Sequence, residues 1–205
     1  MKLLILGCGL MAPAAAYNAA LSPNVKEVVL TDMENEPLAA ARKYFAGTGV
    51  SGKITTAILD CTEKEETREL MAEVDVIISA LPQKVTAEAI RAANDSRRPL
   101  VSMIMPSPSD LEILKRETKK AGNLVVPACG VDPGLTEIMA RVLVERLDRV
   151  EAVHIKCGGI PEKPEPPLGY KVVFGGQELP LREEDAVVVE NGEFKGVPRY
   201  STAEE

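Results

Sequence analysis

Residues 1–32 run MKLLILGCGLMAPAAAYNAALSPNVKEVVLTD. An apolar run leads into Gly7-Cys8-Gly9, then a helical stretch, a second apolar run and Asp32. That order is what a nucleotide-binding βαβ unit requires. Gly7 permits a tight turn after the strand, and Gly9 lets backbone N–H groups approach a pyrophosphate. A helix opening at Leu10 and Met11 aims its positive end at the same phosphates. Asp32 closes the second strand, where a carboxylate can accept both ribose hydroxyls. The glycine pattern alone is weak; strand, turn, helix, strand and acid together are much stronger.

Two plainer explanations compete. In a lipoprotein signal Lys2 and the apolar run would precede Cys8, but only Leu3 to Leu6 stand before Gly7, and a secretory core needs about 7–15 apolar residues. The other is a strand–glycine–helix corner without a ligand, against which Asp32 weighs.

Strand and helix patterns then alternate as far as residue 128. KLLIL (2–6), EVVLT (27–31), ITTAI (54–58), DVIISA (75–80), PLVSMIM (99–105) and NLVVP (124–128) read as strands. Helices are expected near 10–21 and 35–46, from the Thr62–Glu65 capping-box spacing to Glu73, from Pro82 through Ala93, and from Pro108-Ser109-Asp110 to Ala121. Apolar strands joined by helices describe an α/β fold with a doubly wound parallel sheet, whose ligands sit at the carboxyl ends of the strands. Those ends gather Gly7–Met11, Asp32, Asp60-Cys61, Ser79-Ala80-Leu81-Pro82 and the turn after residue 128.

The texture changes after residue 130. A helix near 134–147 carries one broad apolar face. VEAVHIKC (150–157) reads as a strand, followed by the Pro- and Gly-rich GGIPEKPEPPLG. YKVVF (170–174) and AVVVE (186–190) read as further strands, and Asn191-Gly192 before EFKGV signals a two-residue hairpin. The expected organisation is a dinucleotide-binding Rossmann domain over 1–133 and a partial α+β domain over 134–205.

Bulk properties exclude several function classes. The net charge of −7 with no long basic run, and only 3% aromatics, argue against nucleic acid and anionic membranes. No apolar stretch approaches a membrane span. Four scattered cysteines, no CxxC pair and one histidine leave no expected metal site, and reduced cytoplasmic thiols are the default.

Individual residues carry paired readings. Asp32 favours the free 2′-hydroxyl of NAD over the 2′-phosphate of NADP, and no cation follows it at Met33 or Glu34. Asp60 and Cys61 either line an adenine pocket or start a helix. Ser79 to Pro82 are small enough to leave room for cofactor ribose and phosphate. Gly130 belongs to the rigid turn Cys129-Gly130-Val131-Asp132-Pro133-Gly134, which can press against a nicotinamide. Asp132 is either a proton acceptor toward an amine or the next helix's N-cap. Cys129 reads as a wall residue, and His154 as an ordinary strand residue.

Three segments, CGVDPGLTEIMA (129–140), CGGIPEKPEPPLGYKVVF (157–174) and AVVVENGEFKGVP (186–198), resemble the saccharopine dehydrogenase-like family, most nearly its lysine 6-dehydrogenase members. The resemblance implies a Rossmann domain followed by a domain that closes over an amino-acid substrate and often builds a homodimer. It implies NAD-dependent oxidation at a carbon bearing an ε-amine, or at the secondary amine of saccharopine. It also implies that Gly158, Gly159 and Tyr170 border the substrate cavity. The chain departs from the family pattern at VSMIMPSPS, where Ser102 stands near a place usually held by an acid. The family runs on past the Asn-Gly hairpin, so a shortened second domain is expected here. An incomplete sheet with open edges predicts self-association.

Overall fold

The computed structural model describes residues 1–158, 161–167, 169, 185–199 and 201. They fall into two compact units, Met1–Cys157 and Gly158–Glu205.

In the first unit six parallel strands alternate with helices: β1 Lys2–Leu6, α1 Ala12–Leu21, β2 Glu27–Asp32, α2 Asn35–Phe45, β3 Ile54–Ile58, α3 Lys64–Ala72, β4 Val76–Ser79, α4 Gln83–Asp95, β5 Leu100–Ser102, α5 Pro108–Ala121 and β6 Val125–Val126. The sheet order is β3-β2-β1-β4-β5-β6, and every pairing is parallel. The chain therefore reverses direction across the sheet between β1 and β4, which creates a crevice at their carboxyl ends. β1 is central, and Leu4, Ile5 and Leu6 are completely buried. Its alternate side chains enter two different cores. Leu3 and Ile5 pack with Ala12, Ala16, Ala20, Val28, Leu30 and Leu38, while Leu4 and Leu6 pack with Met71, Ile77, Ile90 and Leu100. A strand covered on both faces has to be apolar throughout, and KLLIL is. Three alanines of α1 face the sheet, so this helix can approach β1 closely.

Two strands are shorter than their apolar runs. β5 ends at Ser102 because its hydroxyl donates to the Ile104 carbonyl at 2.8 Å and accepts from the Ile104 N–H at 3.2 Å, curling the chain out of the sheet. β6 ends at Val126 because Pro127 has no N–H and Ala128 takes a positive φ of 59°. The Thr62–Glu65 capping box does not form. Thr62 Oγ1 donates to Asp60 Oδ1 at 2.7 Å instead, and α3 begins at Lys64. Asn35 is likewise the first residue of α2 rather than its cap.

Beyond β6, α6 spans Leu135–Val144 with no buried residue. Residues 150–157 join no ladder among the described residues, which corrects the strand reading. Val153 and Ile155 alternate as a strand should, but among the described residues no neighbour takes their backbone groups, and both side chains stay exposed.

In the second unit β7 Ala186–Glu190 and β8 Glu193–Val197 form an antiparallel hairpin. Asn191 and Gly192 both take positive φ, 53° and 82°, as the two-residue turn demands. The expected strand at 170–174 lies outside the described residues.

Candidate functional site

The crevice is built by backbone first. Gly7 has φ +85° and is packed so tightly on the loop after β4 that an added Cβ would lie 3.0 Å from the Ala80 carbonyl oxygen. The Ala80 N–H in turn donates to the Leu6 carbonyl at 2.9 Å. The loops after β1 and β4 are thereby fastened together across the point where the strand order reverses. Gly9 is the opposite case, with nothing within 4 Å of its Cβ position. Leu10 is 84% exposed, and Met11 serves as N-cap of α1 without a side-chain hydrogen bond. The first turn of α1 holds no acid either, and although Pro13 has no N–H, no side-chain cap takes up the N–H groups that remain. This is the cradle a pyrophosphate needs.

Asp32 closes one side of the cradle. Its Oδ2 accepts from the Cys8 N–H at 2.7 Å and its Oδ1 from the Glu34 N–H at 3.0 Å. The carboxylate is thus braced against the glycine loop, and each oxygen keeps a lone pair for a ribose hydroxyl. Burial, with the Asp32 charge in second place, pushes the Cys8 thiol above its ordinary value, while Arg42 acts in the opposite sense. Cys8 Sγ donates to the Pro37 carbonyl at 3.4 Å, which ties the loop to α2.

At the end of β3, Asp60 points into its own turn, accepting from the Thr62 N–H at 2.9 Å and from the Thr62 hydroxyl. Those bonds hold its carboxyl below the usual range. Cys61 is half-buried, and burial together with the Asp60 and Asp32 charges pushes its thiol up to about 11. Neither residue displays an activated group.

Ser79 is 1% exposed, and its hydroxyl is buried without a hydrogen-bond partner among the described residues. Beside it Ala80 and Leu81 are half-buried, and Pro82, the residue before α4, is exposed. Ser102, the departure noted above, is fully buried and spends its hydroxyl on Ile104.

The turn over residues 128–134 hangs on β5 through the Cys129 N–H, which donates to the Ser102 carbonyl at 2.9 Å. Inside it the Gly130 N–H donates to the Pro133 carbonyl at 3.0 Å, and the Asp132–Pro133 peptide is cis. Gly134 has φ +136°, and an added Cβ there would meet the Gly130 carbonyl oxygen and, at 2.8 Å, that of Ala128. The N-cap of α6 is Gly134, not Asp132. The Gly134 N–H donates to Glu137 Oε2 at 2.6 Å, and Asp132 is exposed, its one hydrogen bond among the described residues coming from the Thr136 hydroxyl at 3.4 Å. Gly158 is exposed, whereas Gly159 and Tyr170 lie outside the described residues. Among the described residues there is no cluster of side chains suited to a metal ion.

One element of the rim was invisible in the sequence. Arg42, ten positions beyond Asp32, donates to Thr56 Oγ1 at 2.8 Å through Nη1 and to Asn35 Oδ1 at 3.0 Å through Nη2. The three residues come from two helical turns and a separate strand, so no local spacing announces them.

The residues present fit a dinucleotide: open backbone at Gly9, uncapped N–H groups at α1 and a braced acid at the end of β2. Comparison with known proteins agrees. Residues 3–126 match the family model described as the saccharopine dehydrogenase NADP binding domain. The chain is 30% identical over 150 residues, 70% of its own length and 32% of the relative's, to an L-glutamate-forming, NADP(+) saccharopine dehydrogenase of Pyricularia oryzae. It is 28% identical over 202 residues, 94% of its length and 43% of the relative's, to the Schizosaccharomyces pombe enzyme of that name. The mitochondrial alpha-aminoadipic semialdehyde synthase of Rattus norvegicus is 26% identical over 178 residues, 83% of this chain and 18% of that one. The apo L-Glu-forming saccharopine dehydrogenase of Saccharomyces cerevisiae superposes with a TM-score of 0.68 at 22% identity, covering 96% of this chain and 44% of that one, which bears on the fold. The chain thus spans less than half the length of these relatives. It belongs to the saccharopine dehydrogenase family, through an NAD(P)-binding Rossmann domain.

Proposed function

We propose that this chain binds NAD and serves an NAD-dependent dehydrogenation of the CH–NH group of a basic amino acid, with lysine or saccharopine as the substrate class. The reading rests chiefly on Asp32: a carboxylate at the end of β2, braced by the Cys8 and Glu34 N–H groups, favours a free 2′-hydroxyl over a 2′-phosphate, although the matching family is described by NADP. When bound, the nicotinamide supplies a hydride acceptor. The protein's part is to hold and shape. Gly9 and the first turn of α1 take the pyrophosphate, Asp32 takes the ribose hydroxyls, and Leu81, Pro82 and Gly130 confine the rest of the cofactor. An amine has to be neutral before its carbon gives up hydride. Asp132, exposed and free of the capping role, is the candidate to accept that proton. Gly158, Gly159 and Tyr170 would face the amino-acid substrate, in a domain division at 133/134. Among the described residues no helix is long and apolar enough to cross a membrane, and the cysteines are unpaired, in keeping with a cytoplasmic setting.

A second reading has an observation of its own. The apolar stripe of α6 lies bare, with Ile138 63% exposed. That favours a dinucleotide-binding module which associates through α6, as a homo-oligomer, without turnover. Incubating the protein with NAD and L-lysine, saccharopine or ornithine at alkaline pH, while following NADH absorbance, separates the two. NADH production supports the dehydrogenase. Cofactor binding with no NADH from any of the three supports the module, and absence of cofactor binding overturns both.

A further inference from the structure

Two apolar surfaces of the first unit are bare, and they are of complementary kinds. The helices are divided unequally between the two sides of the sheet. On the side of Ile5 the core takes in Ala12, Ala16 and Ala20 of α1 and Leu38 and Phe45 of α2. On the side of Leu4 it takes in Met71 of α3, Ile90 of α4 and Leu114 of α5. The three later helices thus share one side, and the other side of β5 and β6 is left open. Two neighbouring rows across the sheet show the consequence. Leu4, Ile77 and Leu100 stand opposite one another and are all completely buried. One residue on, Ile5 is completely buried, Ile78 and Val101 are half-buried, and Val126 is 40% exposed. Val101 and Val126 belong to neither core. An apolar strand face of this kind is ordinarily covered.

α6 offers a cover. Leu135, Ile138, Met139, Val142 and Leu143 fall on one face at helical spacing, each between 43% and 63% exposed. The sheet of its own chain is out of reach. The Leu135 N–H donates to the Gly130 carbonyl and the Thr136 N–H to the Val131 carbonyl, both at 3.0 Å, in a turn already hung on Ser102. With Gly134 packed on the carbonyls of Gly130 and Ala128, these bonds fix the exit of α6, so helix and sheet stay bare together. The stripe offers on the order of 400 Å² of apolar surface, the scale of the largest patch on a typical monomer. Docked once onto a sheet face it buries roughly 800 Å² counting both sides, under the about 1,000 Å² that a specific interface needs. Exchanged reciprocally by two copies it buries about twice that, a standard interface.

We propose that two copies of this chain exchange α6, each laying its apolar stripe across the open side of β5 and β6 of the other. The inference rests on the association through α6 read above and is indifferent to turnover. It assigns that helix a receptor, the row ending in Val126, which the earlier reading left unnamed.

The test is sedimentation equilibrium of the 205-residue protein over a concentration series, for wild type, Ile138→Glu, Val126→Glu and Val126→Thr. Wild type is expected to reach the mass of two chains. Ile138→Glu and Val126→Glu should each weaken the dimer about tenfold or more, because a carboxylate is then buried in an apolar contact. Val126→Thr keeps the side chain's shape, so it gives a smaller loss without the risk that a charge upsets β6. Mixing the two Glu variants should recover part of the association. In the mixed pair the intact α6 of the Val126→Glu copy still meets the intact sheet of the Ile138→Glu copy, whereas either variant alone spoils both contacts. A mixture that recovers nothing overturns the inference. Weakening by Ile138→Glu but by neither Val126 variant means that α6 meets another α6, which overturns the exchange and spares association through α6. Masses that climb past two copies mean an open head-to-tail contact and overturn the exchange as well. A wild-type chain that stays single, or a dimer indifferent to both positions, removes the inference and the α6 association together. Calorimetric titration of the same samples with NAD shows separately whether the nucleotide site stands.

Discussion

β1 and α6 are about equally apolar, yet they meet opposite fates. In β1 Leu4, Ile5 and Leu6 are sealed between helices on both faces. In α6 Leu135, Ile138, Met139, Val142 and Leu143 line one face of a helix, and every one is exposed. The spacing of apolar residues thus selects the element, whereas burial depends on which neighbours the topology supplies. β1 sits between β2 and β4 with a helix layer on each side. α6 follows the last strand of the sheet, and the described residues place nothing on its stripe.

The largest expected effect attacks the buried side of this contrast. Leu6→Ala should cost about 2–5 kcal/mol, because the neighbouring strands cannot collapse into the void. Ile138→Ala should stay within about 0.5 kcal/mol at low protein concentration. Urea unfolding of the two variants measures the difference, and comparable losses would mean that α6 is covered in solution. If association covers it, the Ile138→Ala loss should grow with protein concentration.

Glycines sharpen the same comparison at the site. Gly134→Ala should cost about 2–4 kcal/mol, since its φ and the surrounding carbonyls both refuse a methyl group. Gly9→Ala should change stability by less than about 1 kcal/mol, having open space around it. It should nevertheless weaken NAD binding, measured by calorimetric titration, because a methyl group there would intrude on the proposed pyrophosphate cradle. If Gly9→Ala binds NAD normally, the cradle lies elsewhere.

Thiol chemistry gives a smaller, pH-dependent readout. Cys129 and Cys157 are exposed, and Cys8 is buried. Ellman's reagent at pH 8 should therefore label two thiols quickly. Cys61, with its thiol pushed up to about 11, should become reactive only as the pH rises toward that value. Rapid labelling of Cys61 at pH 8 would show the β3 end to be more open than described.

The smallest effect concerns the start of α6. The Gly134 N–H, first among its causes, and the Thr136 hydroxyl hold the Glu137 carboxyl below its ordinary range. A lowered folded value means a stabilisation present above the unfolded value and lost as pH falls through the folded one. The protection factors of amides in the first turn of α6, corrected for the intrinsic slowing of exchange at low pH, should fall under acid, and Glu137→Gln should remove that dependence while leaving β1 protected.

Much of this was legible in the chain. Six alternating apolar runs and helical stretches gave the parallel sheet in order, because a strand buried on both faces must be apolar along its whole length. Gly7, Gly9 and Asp32 marked the crevice, since a tight turn, an open backbone and an acid are local demands. The illegible parts are non-local. Ser79 was read as small enough to leave room for a cofactor, and only its register beside Leu6 and Ser102 shows that it is buried, 1% exposed, with its hydroxyl unpartnered among the described residues. Asp132 and Gly134 sit two positions apart, and only the positive φ of Gly134 shows which of them begins the helix.

The sequence by itself determined the element order, the parallel sheet and the position of the glycine loop, because these follow from periodicity and from what glycine alone allows. Tertiary structure alone decided which carboxylate is braced, which hydroxyl is buried without a partner among the described residues, and that Arg42 ties Asn35 to Thr56. Side-chain partners on separate elements are set by strand register and helix packing, and no local spacing encodes that geometry.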